Sequence, residues 1–386
     1  MRILIVNTLY EPHILGGAER SVRILVNYLK NRGLVPIVAT TYEKDYTDII
    51  DGTKIYYIKT PNIYWPYYSK QKSPLLKPIW HTIDSFNPIA PRRIEEIIKT
   101  ERIDILHTNN ISGFSSAIWT LDIPKIHTIR DLYLMCIRST MFKGNRECKK
   151  QCPECKLLSI PKKFMSQRVN AVTGISKYIL DKHLSNGYFR GAKIKETIYN
   201  PIEKISGATR PDAPPIRFGY VGSLMPHKGI ELLLQTFINL KHRDAILLIF
   251  GKSPNPDYEQ TLRKKYEGER IRFMGFRKPE EIYPQIHVLV VPSLWNEPFG
   301  RVIPEAYSFG VPVIGSRRGG IPEIIIHGET GFIFDTPSEL QERLEFFIEN
   351  PHEMIRMGDN ALEFAKRFLP ENTIEKFIAI YEEIRR

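Results

Sequence analysis

The sequence lacks several features that would assign it to a class at once. No stretch approaches the roughly 20 apolar residues that a membrane-spanning helix needs, and Arg2–Val6 is typical of a buried strand rather than of a signal peptide. There is no G-x-G-x-x-G motif, which argues against a dinucleotide-dependent dehydrogenase. There is also no internal repeat of short period, which argues against a solenoid. We therefore expect a cytoplasmic protein.

Cysteine is scarce, and all of it is in one place. The four cysteines, Cys136, Cys148, Cys152 and Cys155, have the spacing C-x11-C-x3-C-x2-C. In a reducing compartment this clustering predicts a structural zinc held by four thiolates. Neighbouring basic residues, such as Lys149 and Lys150, would lower the pKa of the thiols and favour that binding. An iron–sulfur cluster and free thiols in a surface loop are the alternatives.

Acidic residues are under-represented only in the first half of the chain. Residues 1–200 contain 31 Lys and Arg against 17 Asp and Glu, a net charge of +14, whereas residues 201–386 contain 24 against 26, a net charge of −2. We therefore expect the first half to meet an anionic partner: lipid head groups, a diphosphate-linked acceptor or nucleic acid. Peripheral attachment to the inner face of the membrane is the corresponding prediction for localisation.

The stretch 56–80 combines aromatic rings with lysines. It contains Tyr56, Tyr57, Tyr64, Trp65, Tyr67, Tyr68 and Trp80 together with Lys59, Lys70, Lys72 and Lys77. This mixture is typical of a membrane interface or of a sugar-binding wall. A proline-punctuated loop that packs its rings onto its own domain is the alternative.

The length of the chain predicts two domains. With 386 residues it is too long for one typical core, and apolar runs alternate with amphipathic segments in both halves, as in α/β folds. The stretch 200–215 is rich in proline and has no apolar period, so it is the predicted linker. We place a first domain at residues 1–205, with the cysteine-containing loop at 136–155, and a second domain at residues 206–365.

One segment of the second half contains two carboxylates close to a predicted strand end. The apolar run 288–291 predicts a buried strand, Glu297 lies in the loop that follows, and Glu305 lies in a helix predicted from about Phe299 to Ser308. Open α/β sheets bind ligands at the carboxyl ends of their strands. The amides at the helix start would favour a phosphate there, leaving Glu305 for a ribose and Glu297 for a second sugar. Two solvated helix glutamates are the alternative.

These two glutamates also carry a resemblance to a known family. With their flanking motifs they resemble the E-x7-E signature of the retaining GT-B glycosyltransferases of family four, the glycogen-synthase-like clan. The supporting motifs are Leu15-Gly16-Gly17-Ala18-Glu19-Arg20, Gly222-Ser223-Leu224, His227-Lys228-Gly229, Gly319-Gly320-Ile321-Pro322-Glu323-Ile324-Ile325 and Gly328-Glu329-Thr330-Gly331-Phe332. Five motifs in the family's order cover nearly the whole chain and are far more specific than any one of them.

The resemblance implies a fold and an activity. The fold would be α/β, with two Rossmann-like, doubly wound parallel-sheet domains facing a cleft, and the last segment, 366–386, would return to the first domain as a helix. The activity would be retaining transfer of a sugar from a nucleotide-diphosphate donor, held by the second domain. The acceptor, held by the first domain, would be a lipid-linked saccharide or a surface-glycan precursor. The resemblance implies no catalytic metal and no protein nucleophile, since the leaving diphosphate helps to activate the incoming hydroxyl.

The resemblance also implies functional residues. Catalysis would involve Glu297, Lys228, Arg130 and Asp131. The donor would meet Gly16, Gly17, Gly222, Ser223, Lys228, Phe299, Gly300, Arg301, Glu305 and Gly320. The chain departs from the family twice: Ser223 replaces an arginine that stabilises the leaving diphosphate in many relatives, and Arg130 replaces a histidine beside the donor sugar. A guanidinium binds a hydroxyl or a phosphate but supplies no general base. His127, nearby, is predicted to be a core residue.

Two other functions compete with this interpretation. A nucleic-acid-binding protein with a zinc-knuckle-like loop would account for the basic half, but not for Glu297, Glu305 and Lys228. We expect no nucleic-acid partner. A GT-B sugar-nucleotide epimerase would need an additional catalytic base, which the sequence does not offer.

Overall fold

The computed structural model describes residues 1–14, 16–67, 75–144, 146–242 and 244–386. The chain divides into two compact units. The first comprises Met1–Met141, Cys148–Pro201 and Pro370–Arg386, and the second comprises Phe142–Glu147 and Ile202–Leu369. Tyr68, Lys70 and Lys72, which belong to the predicted aromatic and basic stretch, lie outside the described residues, as does Leu15 of the glycine-containing motif.

The central strands of both sheets follow apolar runs of the sequence. In chain order they are β1 Arg2–Val6, β2 Val35–Tyr42, β3 Tyr46–Ile50, β4 Thr53–Lys59, β5 Ile105–Thr108, β6 Lys125–Ile129, β7 Phe142–Lys143, β8 Arg146–Glu147, β9 Ala171–Gly174, β10 Ile194–Thr197, β11 Ile216–Val221, β12 Ala245–Phe250, β13 Ile271–Gly275, β14 Val288–Val291, β15 Val313–Ser316 and β16 Gly331–Phe334.

The α-helices alternate with these strands. They are α1 Gly17–Asn31, α2 Leu76–Ser85, α3 Ala90–Glu101, α4 Pro153–Met165, α5 Lys177–Ser185, α6 Ile230–Ile238, α7 Pro256–Tyr266, α8 Pro279–Ile282, α9 Val302–Tyr307, α10 Pro337–Glu349, α11 Pro351–Ala365 and α12 Pro370–Arg385. Within the described part of the chain, every helix is too short or too polar to span a bilayer.

The first unit is built on an eight-stranded sheet with the order β10-β9-β6-β5-β1-β2-β4-β3. All neighbouring strands are parallel except β3 and β4, which pair antiparallel at one edge. Parallel strands are buried on both faces, which explains why β1 is predicted so readily from Ile3, Leu4, Ile5 and Val6, all of which are fully buried.

The C-terminal helix belongs to the core of the first unit. Ile374, Phe377 and Ile380 of α12 are buried with residues of β1 and α1. Tyr381 completes the contact, because its hydroxyl lies 2.6 Å from Nδ1 of the buried His107 on β5. Nε2 of His107 lies 2.8 Å from Oγ1 of Thr128. Burial, followed by the nearby charge of Arg130, lowers the pKa of His107 to about 3, so this imidazole is neutral at physiological pH.

The aromatic stretch packs onto its own domain. Tyr57, Trp65 and Trp80 are buried, and the indole of Trp65 donates to Oγ1 of Thr41 at 3.0 Å. Trp80 lies on α2, a helix that the proline-punctuated sequence does not reveal. The prediction that these rings form a membrane interface or a sugar-binding wall is therefore wrong for these three residues, and the alternative is confirmed for them.

The second unit is built on a six-stranded, fully parallel sheet with the order β13-β12-β11-β14-β15-β16. Its helix α9 begins at Val302, three residues later than the sequence predicts, because Gly300 adopts a left-handed φ of +90°. Glu305 therefore lies in the first turn of a short helix, rather than about one and a half turns inside a longer one.

The contact between Tyr381 and His107 gives a first prediction. In Tyr381→Phe the buried imidazole loses a hydrogen-bond partner, so the free energy of unfolding should fall by about 1–3 kcal/mol. Tyr28→Phe is the matched control: its hydroxyl contacts Glu375 at 2.6 Å, but at a half-buried position, and its cost should be about 1 kcal/mol or less. Urea unfolding of both variants measures the difference. Equal effects would contradict the role assigned to the buried histidine.

Candidate functional site in each unit

In the second unit, loops from three neighbouring strands meet at the carboxyl edge of the sheet. Strands β11, β14 and β15 are adjacent, and each is followed by a segment that contains predicted site residues. Backbone bonds join these segments: the amide of Leu294 donates to the carbonyl of His227 at 2.9 Å, and the amide of Gly320 donates to the carbonyl of Glu297 at 2.8 Å. Ligands of open α/β sheets bind at such an edge.

The carboxylate of Glu297 is the most highly connected side chain of this edge. Its Oε1 accepts from Nζ of Lys228 at 2.6 Å, from Oγ of Ser293 at 2.8 Å and from Nε1 of Trp295 at 2.9 Å. The same lysine lies 4.9 Å from the centre of the Trp295 ring, a cation–π distance. The structure therefore brings the predicted residues Glu297 and Lys228 into direct contact, and both the carboxylate of Glu297 and the ring of Trp295 bind the lysine.

The surroundings of Glu297 keep it ionised. Burial alone would raise its pKa, but the charge of Lys228 and the hydrogen bonds from Lys228, Trp295 and Ser293 outweigh burial, so the pKa lies below its usual value. Glu297 is therefore an anion at neutral pH.

Two glycines allow the loops of this edge to approach. Gly229 has φ +73°, and a Cβ there would lie 1.8 Å from the carbonyl oxygen of Pro292. Gly319 has φ +59°, and a Cβ there would lie 2.1 Å from the carbonyl oxygen of Glu297. Any side chain would force the segments apart, so these glycines fix the separation between Lys228 and Glu297.

Glu305 forms a second ion pair a few residues further along the chain. Its Oε1 accepts from Nε of Arg301 at 2.8 Å, and its Oε2 lies 3.4 Å from the hydroxyl of Tyr283. Tyr283 also donates to the carbonyl of Val302 at 3.1 Å, at the first residue of α9. Both charged side chains keep a small exposed fraction, 13% for Arg301 and 14% for Glu305, so a polar ligand can reach them.

The remaining predicted donor residues of the second unit lie on the same loops. Gly222 and the exposed Ser223 directly follow β11, and Phe299, Gly300 and Gly320 lie on the segments after β14 and β15. Ser223 carries no charge and cannot replace the arginine that many relatives have at this position. On these segments Lys228 and Arg301 are the cations that form ion pairs with the predicted carboxylates Glu297 and Glu305.

The hairpin β7–β8 is a contributor that sequence reasoning missed. It lies within the cysteine-containing stretch, yet it belongs to the second unit. The ring of Phe142 lies 5.9 Å from that of His227, and the side-chain amide of Asn296 donates to Glu147. Neither contact has a signal in the sequence, because each joins positions far apart in the chain.

In the first unit, Arg130 lies at the carboxyl end of β6 and is buried. Its Nε donates to Oδ1 of Asn109 at 2.9 Å, and its Nη1 donates to Oδ1 of Asn200 at 2.7 Å. Asn109 directly follows β5, and its Nδ2 is buried without a partner among the described residues. Neither asparagine is among the predicted site residues, and the signal that could have found Asn109 is its position at the end of a strand.

Asp131 follows Arg130 and lies in a cluster of buried ionisable groups. Burial raises the pKa of Asp131 to about 6, and its Oδ1 accepts from the amide of Tyr133 at 2.7 Å. Behind it, Asp84 accepts from the amide of Gly113 at 2.6 Å and from the hydroxyl of Tyr133. Lys162 lies 3.5 Å from the centre of the Tyr133 ring, and burial lowers the pKa of Lys162 to about 8.

The glycine-containing motif begins α1. The amide of Gly16 donates to Oε2 of Glu19 at 2.8 Å, a capping arrangement that occupies this amide within the protein. Gly17 is the first residue of the helix and is half-buried. His127 is buried, with its ring 4.9 Å from that of Trp119, and is a core residue as expected.

The structure does not support the predicted zinc site. Among the described residues, no three His, Cys, Asp or Glu side chains are grouped as a metal ion requires, and Cys136, Cys148, Cys152 and Cys155 form no disulfide. The expected lowering of the thiol pKa is also wrong for Cys155, whose pKa burial raises to about 12, with a hydrogen bond to Cys152 and the nearby Cys136 adding to the shift. Lys149 and Lys150 are exposed, and their charges do not offset the effect of burial on the pKa of Cys155. The zinc-knuckle argument for nucleic-acid binding has no structural support either.

The ion pair of Glu297 gives a second prediction. Glu297→Gln leaves Lys228 without its anion in a buried site, so the free energy of unfolding at pH 7 should fall by about 1–3 kcal/mol. Because the folded-state pKa of Glu297 is lowered, its contribution is complete above the unfolded value of about 4.3 and is lost as the pH falls through the folded value. The deficit of the variant should therefore shrink in acid.

Urea unfolding at pH 7 and at acidic pH tests this. Glu353→Gln is the control: it breaks an exposed pair with Arg356 on α11 and should change the free energy of unfolding at pH 7 far less than Glu297→Gln does. A deficit for Glu297→Gln that does not depend on pH would contradict the assignment of charge.

Solved structures share the fold of the whole chain. Sucrose-phosphate synthase from Thermosynechococcus elongatus matches with a TM-score of 0.79 and 18% identity, over 99% of this chain and 98% of that one. HepE from Anabaena, solved in complex with UDP-glucose, matches with a TM-score of 0.72 and 18% identity, over 99% and 100% of the two chains. Together with the two Rossmann-like parallel sheets, these neighbours confirm the GT-B fold.

Two curated relatives are similar in sequence. An uncharacterized 42.6 kDa protein in the cps region of Klebsiella pneumoniae is 33% identical over 84% of this chain and 87% of its own length. The D-inositol 3-phosphate glycosyltransferase of Corynebacterium efficiens is 33% identical over 42% of each chain, so the present chain matches less than half of that enzyme.

Family models cover nearly all of the chain. Residues 15–204 match the model described as Glycosyltransferase Family 4, and residues 201–364 match the model described as Glycosyl transferases group 1. Taken with the full-length relative, these matches confirm the family that the E-x7-E segment indicates: the chain belongs to the group 1, family 4 glycosyltransferases with a GT-B fold.

Proposed function

We propose that the protein transfers a sugar from a nucleotide-diphosphate donor to a glycan or lipid-linked saccharide, with retention of the anomeric configuration. The donor is assigned to the second unit and the acceptor to the first. The observation that carries this proposal is the Lys228–Glu297 pair at the carboxyl edge of the second sheet, 2.6 Å apart and next to the Arg301–Glu305 pair.

The proposed division of labour follows from charge. Lys228 has three ammonium donors, so contact with one carboxylate oxygen leaves donors for a diphosphate. Glu305 has two oxygens and can accept the hydroxyls of a ribose. Glu297, buried and ionised, positions Lys228 and faces the sugar. Arg130 is always protonated and is assigned to binding a hydroxyl or phosphate rather than to proton abstraction, and Asp131 assists it.

The chemistry needs no group beyond the substrates. The bond between the anomeric carbon and the donor phosphate oxygen breaks, and the acceptor oxygen bonds to that carbon on the same face. The acceptor proton passes to the leaving diphosphate, whose negative charge Lys228 stabilises. This route follows the family resemblance and requires neither a protein nucleophile nor a catalytic metal.

Relatives suggest which substrates to test first. HepE was solved with UDP and with UDP-glucose, and another neighbour is a lipopolysaccharide outer core galactosyltransferase, WaaB. Uridine nucleotides are therefore the first donors to test, and saccharides of surface glycans are the first acceptors.

Removal of Glu305 gives a third prediction. Glu305→Ala should weaken the binding of UDP by about 1.5–3 kcal/mol, that is by roughly ten- to 150-fold, because a charge-assisted hydrogen-bond pair to the ribose is lost. Glu305→Gln keeps the volume and should lose less. Isothermal titration calorimetry measures both.

Glu353→Ala is the control for this measurement, since it removes another helix carboxylate paired with an arginine, on α11 of the same unit, and should leave UDP affinity unchanged. If a nucleotide binds wild type and Glu305→Ala equally well, the ribose assignment is wrong. Glu297→Ala should abolish transfer but weaken UDP binding less than Glu305→Ala does, because Lys228 keeps its charge and its ammonium donors, and this distinguishes the two glutamates.

The stereochemistry of the product gives a fourth prediction. Transfer from an α-linked UDP-sugar should give an α-linked product, because the acceptor attacks the face that the diphosphate leaves. The anomeric proton coupling in the NMR spectrum of the first-formed product reports the configuration. A β-linked product would rule out retention while leaving the glycosyltransferase assignment intact.

A further inference from the structure

Helix α4 of the first unit exposes an apolar stripe. Leu157, Ile160 and Phe164 are 67%, 58% and 65% exposed, and their spacing of three and four residues places them on one side of the helix. The opposite side of α4 is buried through Cys155, Ser159, Lys162 and Met165. The helix therefore has its own core-facing side, and the exposed stripe is not needed for packing.

Helix α2 exposes a similar stripe. Leu75, Leu76 and Ile79 are exposed at its beginning, and Phe86 is exposed directly after its last residue, while Trp80 on the same helix is buried. Large apolar side chains clustered on a surface mark a binding site more often than isolated ones do.

The two stripes adjoin. Helix α2 packs against α4, and the hydroxyl of Ser85, at the end of α2, donates to the backbone carbonyl of Leu158 on α4. Phe86 follows Ser85 in the chain, and Leu157 precedes Leu158. We call the surface formed by Leu75, Leu76, Ile79, Phe86, Leu157, Ile160 and Phe164 the α2–α4 face.

The exposed charges in the segments that form the α2–α4 face are mostly positive. In residues 75–91 and 148–170 the exposed cations are Lys77, Lys149, Lys150, Lys156, Lys163 and Arg168, whereas Glu154 is the one exposed acid. The other acid in these ranges, Asp84, is buried in the cluster with Tyr133. Lys156 and Lys163 lie one residue from Leu157 and Phe164, so ammonium groups border the apolar stripe directly.

We propose that the α2–α4 face docks on the surface of an anionic lipid bilayer. The apolar side chains enter the boundary between head groups and acyl chains, and the lysines extend their stems along it to reach the lipid phosphates. A protein partner fits less well, because the cores of protein interfaces are depleted in lysine. This inference rests on the lipid-linked acceptor of the proposed function, and it assigns the membrane contact to residues other than the buried Trp65 and Trp80.

The test uses the full chain and vesicles, without nucleotide or acceptor. Wild type should sediment with phosphatidylcholine vesicles that contain phosphatidylglycerol and should dissociate as salt rises, because screening at physiological ionic strength acts over about 8 Å. Replacing Leu157, Ile160 and Phe164 together by Ser should weaken this binding about tenfold or more.

Matched variants of the second unit control for exposure and composition. Ile238, Phe276 and Ile355 are 49%, 59% and 49% exposed, and their joint replacement by Ser should leave vesicle binding unchanged. Replacing Lys149, Lys156 and Lys163 by Gln removes three positive charges and should weaken binding to the anionic vesicles by roughly fivefold per lysine. The control replaces Lys241, Lys264 and Lys278 of the second unit by Gln. It removes the same number of positive charges and should have little effect on vesicle binding.

The outcomes are distinguishable from those of the proposed function. All variants are surface changes, so thermal unfolding and UDP binding should match wild type, and UDP binding of wild type is measured in parallel. Vesicle binding that depends on the α2–α4 face, with no UDP affinity, supports this inference and contradicts the choice of a uridine donor in the proposed function. The inference is overturned if wild type does not bind anionic vesicles, or if both triple Ser variants bind them as well as wild type does. If the α2–α4 face instead binds a soluble protein partner, the face is a protein interface.

Discussion

The buried, ionised carboxylate of Glu297 is the interaction on which the second unit's edge depends. Water does not compensate a charge at this position, so protein donors must do so, since an unpaired buried charge is costly. Lys228 provides the countercharge from the loop after β11, and Ser293 and Trp295 provide neutral hydrogen bonds from the loop after β14. The backbone carbonyl of the same residue binds Gly320, after β15. One residue thereby fixes three loops and leaves a lysine oriented before any ligand arrives.

The first unit organises its own strand ends by different means. Arg130 is oriented by the neutral amide oxygens of Asn109 and Asn200. A guanidinium held in this way keeps a fixed direction, whereas a histidine at this position would exchange protons near neutral pH. The two units thus use contrasting devices at their sheet edges, a buried ion pair in one and an amide-clamped cation in the other.

The sequence predicts the parts of this fold whose signals are local. Strands β1 and β14 are almost uniformly apolar because parallel strands are buried on both faces, and the boundary of the units at Pro201 lies in the proline-rich stretch 200–215. Helices α2 and α4 escape prediction because their exposed faces are apolar, so no clear period is visible, and each contains a proline. Tyr57, Trp65, Trp80 and the thiol of Cys155 are misinterpreted for one shared reason: their burial depends on elements that are distant in the chain. The pairing of Lys228 with Glu297 likewise requires β11 to lie beside β14, which the family resemblance implies but spacing alone does not. Asn109 and Asn200 are found only once the order of the strands is known.

The C-terminal helix has a consequence for how the protein is made. The core of the first unit includes Ile374, Phe377, Ile380 and Tyr381 of α12, although the rest of that unit, which ends at Pro201, is translated before the main part of the second unit, Ile202–Leu369. Domains usually fold in the order in which they leave the ribosome. Here the second unit, which ends at Leu369, emerges complete before the segment that seals β5 and its buried His107. The first unit is therefore completed only when α12 is available. A nascent chain stalled before α12 emerges would leave the apolar residues of β1, β5 and α1 that contact this helix exposed to solvent.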